Sequence, residues 1–166
     1  MASTVRGGNK LRQFFRTVKQ AKHLSVKGVD VGFFATARYP DVSTGKNGGK
    51  KQKPHHVATV AAWNEFGTRR NGKQHVPERP FMRQAIKAAN DDLTEILIQG
   101  IDAKKMILDP ITAGRMGLAM QNHIQRRITT LRDPPDAPST IERKGSSNPL
   151  IDTGFMRQSV SFRVDS

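Results

Sequence analysis

Two long apolar stripes, each opened by a proline, constrain this 166-residue chain more than any other feature. The first follows Pro80. Met82, Ile86, Ala89, Leu93, Ile96 and Leu97 share one face at helical spacing, and Asp91, Asp92 and Glu95 lie largely away from it. The second follows Asp109-Pro110, a capping residue and then a ring that fits the first helical turn. Its stripe is Ile111, Leu118, Ile124, Ile128 and Leu131. Gly114 and Gly117 weaken its start by about 1 kcal/mol each relative to Ala, which predicts close helix packing there. Near either end of the chain lies a strand pattern. Val29, Val31 and Phe33 alternate with Asp30 and Gly32, and Phe34 continues the strand on its other face. Val160, Phe162 and Val164 alternate with Ser161 and Arg163. The expected fold is α+β: a small antiparallel β-sheet packed with two long helices and shorter helices, with long flexible loops, in a single domain over 1–166.

The remaining segments fill in around this frame. Leu11, Phe14, Phe15 and Val18 predict an amphipathic helix over 9–22, with Arg12, Arg16, Lys19 and Lys22 elsewhere on its cylinder. Residues 37–54 have no apolar period and predict a long exposed loop. Val57 to Phe66 reads as a short helix capped by Gly67, followed by a polar loop with Arg69, Arg70 and Lys73. Residues 133–149 are rich in Pro and Ser and predict a second irregular segment; Asp152 or Thr153 is placed to cap one helical turn after it. Trp63, in an Ala-rich helix, is expected in the core or a subunit interface.

Charge bounds the partners. The net charge is +14, from 28 basic and 14 acidic side chains, and residues 1–53 hold twelve of the basic and two of the acidic ones. A basic surface of this size predicts contact with polyanions, against the plainer reading of a solvated face that aids solubility. There are no cysteines, which excludes a disulfide framework or a cysteine-ligated zinc site. No apolar run approaches the roughly 20 residues of a membrane span, and MASTVRGGNK lacks the apolar stretch of a secretory signal.

Catalytic patterns are near-misses. Thr44-Gly45-Lys46-Asn47-Gly48-Gly49-Lys50-Lys51 mimics a phosphate loop, but Thr44 stands where Gly is needed and Lys51 where a hydroxyl would hold magnesium. Of the five histidines His23, His55, His56, His75 and His123, the adjacent pair would point apart in regular structure. No GxSxG is present, and Asp91, Asp92 and Glu95 read as a solvated helix face. No helix-turn-helix, zinc-finger or aromatic RNA-binding pattern occurs either, so the scattered cations suit backbone electrostatics rather than base reading. The expectation is a protein with no catalytic residues, no cofactor and no metal.

Two segments carry a resemblance. The first is VATVAAWNEFGT, a basic variable loop, then VPERPFMRQAI, with Glu65, Phe66, Gly67 and Thr68 followed by Pro77, Arg79, Pro80 and Phe81. The second is KGSSNPLIDTGFMRQSVSFRV, with Pro149, Leu150, Ile151, Asp152, Thr153 and Gly154. In this order they resemble the tail-completion, or head–tail joining, proteins of tailed bacteriophages, as does the first strand, Val29-Asp30-Val31-Gly32-Phe33. The lysine loop at 37–54 departs from that pattern. Physically, Gly67 and Gly154 allow positive backbone dihedrals, Phe66, Phe81 and Leu150 are expected to anchor the turns, and Glu65 and Arg79 are candidates for an ion pair, within or between subunits. The resemblance implies a virion protein of the neck, assembled in the host bacterial cytoplasm. It implies a homohexameric ring around the DNA path, touching neighbouring neck and tail proteins and, non-specifically, genomic DNA. Lys46, Lys50, Lys51, Lys53, Arg69 and Arg70 are then the expected DNA or subunit contacts. The competing expectation is a basic nucleic-acid-binding accessory protein outside any virion ring.

Overall fold

A computed structural model of the chain describes residues 26, 28–40, 55–102 and 107–165. The predicted helix at 9–22 and Lys46, Lys50, Lys51 and Lys53 lie outside the described residues. The fold is α+β, as the sequence predicts. Its centre is an antiparallel pair, strand β1 (Gly28–Phe33) against strand β6 (Val160–Asp165), with Val29 opposite Val164, Val31 opposite Phe162 and Phe33 opposite Val160. The two alternating patterns, more than 120 residues apart, thus join the early and late parts of the described chain in one ladder. Phe34 falls beyond β1, where Arg163 stacks over its ring at 3.9 Å.

Helix α1 (Val57–Phe66) follows a bridge in which Ala37 O accepts from Val57 N at 3.0 Å and His55 O accepts from Tyr39 N at 3.2 Å. The predicted loop therefore starts later than 37: Ala37 and Tyr39 pack against the core. After α1 the chain forms a hairpin rather than the expected loop, β2 (Thr68–Arg70) with β3 (Lys73–Val76). Asn71 and Gly72 turn it with φ of 51° and 76°, the two left-handed residues of a tight hairpin turn.

The two long helices are α2 (Phe81–Gly100) and α3 (Pro110–Thr130), joined by the short ladder of β4 (Ile101–Asp102) and β5 (Ile107–Leu108). Asp109 caps α3, accepting from Ile111 N at 2.9 Å and Thr112 N at 3.0 Å, while the Thr112 hydroxyl donates to it at 2.6 Å. The stripes that bury are not quite those predicted. On α2 the fully covered row is Phe81, Ala85 and Ala89; on α3 it is Ala113, Gly117, Met120, Ile124 and Ile128, with Leu131 following. Ile86, Ile111 and Leu118 are instead 55%, 78% and 51% exposed. Small residues explain the rotation, because they let neighbouring elements approach. A Cβ at Gly117 would lie 2.4 Å from the Phe162 ring, and one at Gly100 would lie 2.0 Å from the Thr112 hydroxyl. Gly114 has open space around it, so the predicted close packing holds at Gly117, and against a strand rather than a helix.

The segment 133–149 is not wholly irregular: it holds helix α4 (Pro138–Lys144), ended by Gly145 at φ 67°. A single turn, α5 (Phe155–Gln158), follows Gly154 at φ 79° and leads into β6. The core gathers Val57, Phe81, Ile124, Ile128, Leu131, Leu150, Met156 and Val160, with Phe33 edge-on to Phe81 at 6.2 Å. Trp63 is 39% exposed, beside His55, so it is not a core residue.

Candidate assembly interface

The residues singled out in the sequence meet where α1 ends and α2 begins. Gly67 turns the chain at φ 68°, and a Cβ there would come within 2.9 Å of the Val76 carbonyl oxygen. Any side chain would collide with backbone on the returning strand, so glycine sets how closely the hairpin folds back. The hairpin holds Arg69, Arg70 and Lys73 in solvent. Thr68, at its base, has a buried hydroxyl with no hydrogen-bond partner among the described residues.

Glu65 and Arg79 are both buried, and within the chain they do not pair with each other. The Glu65 carboxylate caps α2 from outside: it accepts from Met82 N at 2.8 Å and from Arg83 N at 3.2 Å. Arg83 Nε donates to it at 2.9 Å, and Arg83 also pairs with Glu78. A carboxylate here takes up two of the helix's otherwise unpaired N–H groups and faces the positive end of its dipole. Both carboxylates hold the Arg83 pKa above its ordinary value, the hydrogen bond that Arg83 donates to Glu65 most of all.

Arg79 turns the other way. Its Nε donates to Pro134 O at 2.9 Å, and Nη2 donates to Pro135 O at 3.1 Å and to Asp136 Oδ1 at 2.8 Å. Nη1 reaches the Asn64 side-chain oxygen at 3.3 Å, while Arg79 N donates to Asn64 O at 2.7 Å. Lys144 Nζ forms an ion pair with Asp136 Oδ2 at 2.6 Å and donates to Asn148 O at 2.6 Å. The planar fork of Arg79 thus ties α1, the 134–136 turn and α4 together, a task a lysine cannot perform.

The second motif closes the far side. Leu150 is buried in the core and Ile151 packs against it. Asn148, not singled out in the sequence, donates to Thr129 O at 2.8 Å and to Ile128 O at 3.4 Å, and accepts from Leu150 N at 2.9 Å. It takes up carbonyls left over at the end of α3. Its place directly before Pro149 was the only available signal. Asp152 and Thr153 are exposed, and Thr153 Oγ1 accepts from Phe155 N at 3.4 Å. Tyr39 lies against Phe155 at 5.4 Å; burial, and secondly the charge of Asp152, raise its phenol pKa.

Phe66 does not anchor its turn in the core. It is 69% exposed, with the Arg83 guanidinium 5.5 Å from its ring centre. An open groove of about 610 Å³ runs between α1, the hairpin and α4, past Trp63, His75, Arg143 and Asp136. Its lining mixes charges of both signs without a cluster of one chemistry. Among the described residues no group of three or more His, Cys, Asp or Glu side chains is placed to hold a metal ion. His123 is engaged with Asp92 at 2.8 Å. No described helix is long and apolar enough to cross a membrane.

In comparisons with protein-family models, curated proteins and solved structures, nothing matches this chain.

Proposed function

We propose that this chain is a structural protein of the bacteriophage neck, which completes the tail and joins it to the head connector as a homo-oligomeric ring around the DNA path. The observation that carries the reading is how the two motif segments are used. Glu65, Arg79 and Phe81 from the first and Leu150 from the second are buried framework residues, held by capping, ion pairing and packing. The cations of the intervening variable loop are left in solvent on the hairpin. A buried, tightly bonded scaffold that presents a charged, exposed projection suits a protein whose work is to bind its neighbours. The reading assigns the chain no catalytic step and no cofactor. A chain of net charge +14, repeated around a ring, also suits a passage for DNA or an acidic neighbouring ring.

The test is genetic and morphological. A phage carrying a nonsense mutation in this gene is expected to yield DNA-filled heads and separate tails, with joining restored by the purified protein. Complete infectious particles made without the protein contradict the reading. A monomer whose main property is salt-dependent DNA binding favours the accessory-protein alternative.

A further inference from the structure

We propose that copies of this chain associate head to tail through the two ends of α2, the basic hairpin end of one copy against the acidic end of the next. The proposal rests on the ring reading for its choice of a second copy as the occupant. Two separate exposed apolar patches motivate it. Phe66 ends α1 with its ring beside Arg83 of α2, and Ile86 lies about a turn further along α2; they are 69% and 55% exposed. Ile98, Ile111 and Leu118 lie where α2 ends and α3 begins, 62%, 78% and 51% exposed. Arg115 Nη2 donates to Gln99 at 3.4 Å across that end.

Each patch has its own charge. Over residues 66–87 the exposed charged side chains are Arg69, Arg70, Lys73, Arg83 and Lys87, against Glu78 alone. Towards the other patch Asp91 and Glu95 are exposed, Asp92 is exposed but paired with His123, and Asp109 is half-buried as the α3 cap, against exposed Arg115. Over 91–115 the sequence holds five acidic side chains (with Asp102) against three basic ones, Lys104, Lys105 and Arg115. The chain is strongly basic overall, so a local acidic excess on one end of a helix stands out. Opposite charge around apolar centres is the arrangement that steers and registers an interface.

The geometry favours a heterologous contact over a two-fold one. Ile86 and Ile98 are twelve residues apart on one unbroken helix. That separation is about 18 Å along the axis and about 120° around it. A partner lying flat on one patch leaves the other facing elsewhere, free for a third copy. Repeated, such a contact closes into a ring or runs on as a filament.

The experiment uses the full-length protein and two charge-reversed variants, Arg69→Glu with Arg70→Glu, and Asp91→Lys with Glu95→Lys. Mass in solution is followed by light scattering against concentration. At the substituted positions each variant alone sets like charge against like, and it is expected to self-associate at least about a hundredfold more weakly than wild type. An equimolar mixture of the two places opposite charges at every contact and is expected to recover assembly. Should a reversal lower the melting temperature, Phe66→Ser and Ile111→Ser carry the same test, each expected to weaken association.

Variants that assemble like wild type, or a mixture that fails to recover, overturn the contact. If wild type still forms closed rings in those cases, the ring reading stands without it. A wild type that stays monomeric at millimolar concentration also overturns the contact, and leaves the neck reading to the genetic test above. Unchanged assembly with lost retention on duplex DNA would assign the hairpin to nucleic acid instead.

Discussion

Arg79 and the pair Arg69 and Arg70 belong to one short stretch of sequence, yet they are used in opposite ways. Arg79 is 4% exposed and donates to two backbone carbonyls, an amide and a carboxylate. Arg69 and Arg70 stand in solvent on strand β2 of the hairpin, with no ion-pair partner among the described residues. The difference lies in what surrounds each. The 134–136 turn leaves carbonyls unpaired inside the fold, and only a charged planar fork satisfies several of them at once. The hairpin satisfies its own backbone by pairing β2 with β3, so its side chains are not needed for folding. One arginine is committed to the scaffold, while two are left in solvent.

Breaking the buried side has the largest expected effect. Arg79→Ala leaves Asp136 buried beside Lys144 alone and strands three carbonyl-type acceptors. A loss of about 3–5 kcal/mol in urea unfolding is expected, as for other buried pairs deprived of one partner. Stability within error of wild type would erase the contrast. Glu65→Ala follows, at about 2–3 kcal/mol, because Met82 N and Arg83 N lose a charged acceptor. Arg83→Ala should cost less in the same assay, since Arg83 is 53% exposed where Glu65 is 5%.

Gly117→Ala probes the helix–strand contact that the arginine scaffold supports only at a distance. The new methyl meets the Phe162 ring, and about 1–3 kcal/mol of destabilisation is expected from overpacking. Gly114→Ala, in open space one turn earlier, should be neutral or slightly stabilising. Equal effects at the two glycines would show that β6 does not press on α3 as described.

Acid probes the cap at the start of α3. The Thr112 hydroxyl first, then the Thr112 and Ile111 amides, hold the Asp109 pKa below its ordinary 3.8. The unfolded chain therefore binds this proton at higher pH than the folded one. The stabilisation is complete above about pH 4, the ordinary aspartate range, and is lost as pH falls through the lowered folded value. Asp109→Asn keeps a capping side chain, so its melting temperature should match wild type most closely at low pH and fall behind as pH rises past 4. A constant difference from pH 2 to 7 would contradict this.

The smallest effect on folding is expected at the hairpin itself. Arg69→Ala with Arg70→Ala should change stability by no more than about 0.5 kcal/mol while weakening assembly. If it destabilises as Arg79→Ala does, the hairpin is scaffold and the division fails.

The sequence made the local frame legible and the long-range partners not. Asp109-Pro110 and Pro80 marked both helix starts, and strict alternation marked β1 and β6, because caps and period 2 are local signals. Asn71-Gly72 carried the hairpin signal, but strands of three and four residues are too short to alternate convincingly. The exposed Ile86, Ile111 and Leu118 were read as core because apolar size dominates a stripe. In the fold, Ala85, Ala89 and Gly117 set the close approach and the larger residues rotate outward. Glu65 and Arg79 stand out in the sequence, but their partners within the chain do not. The partner of Arg79, Asp136, lies 57 residues away in a segment with no period of its own.

The central claim, that this fold is a neck-ring subunit, is tested most directly by electron cryomicroscopy of the purified virion. The account predicts a closed ring of this chain between head connector and tail, with the Arg69–Arg70 hairpin of each copy against the α2–α3 end of the next. Infectious particles whose neck density contains no copy of the chain would contradict it.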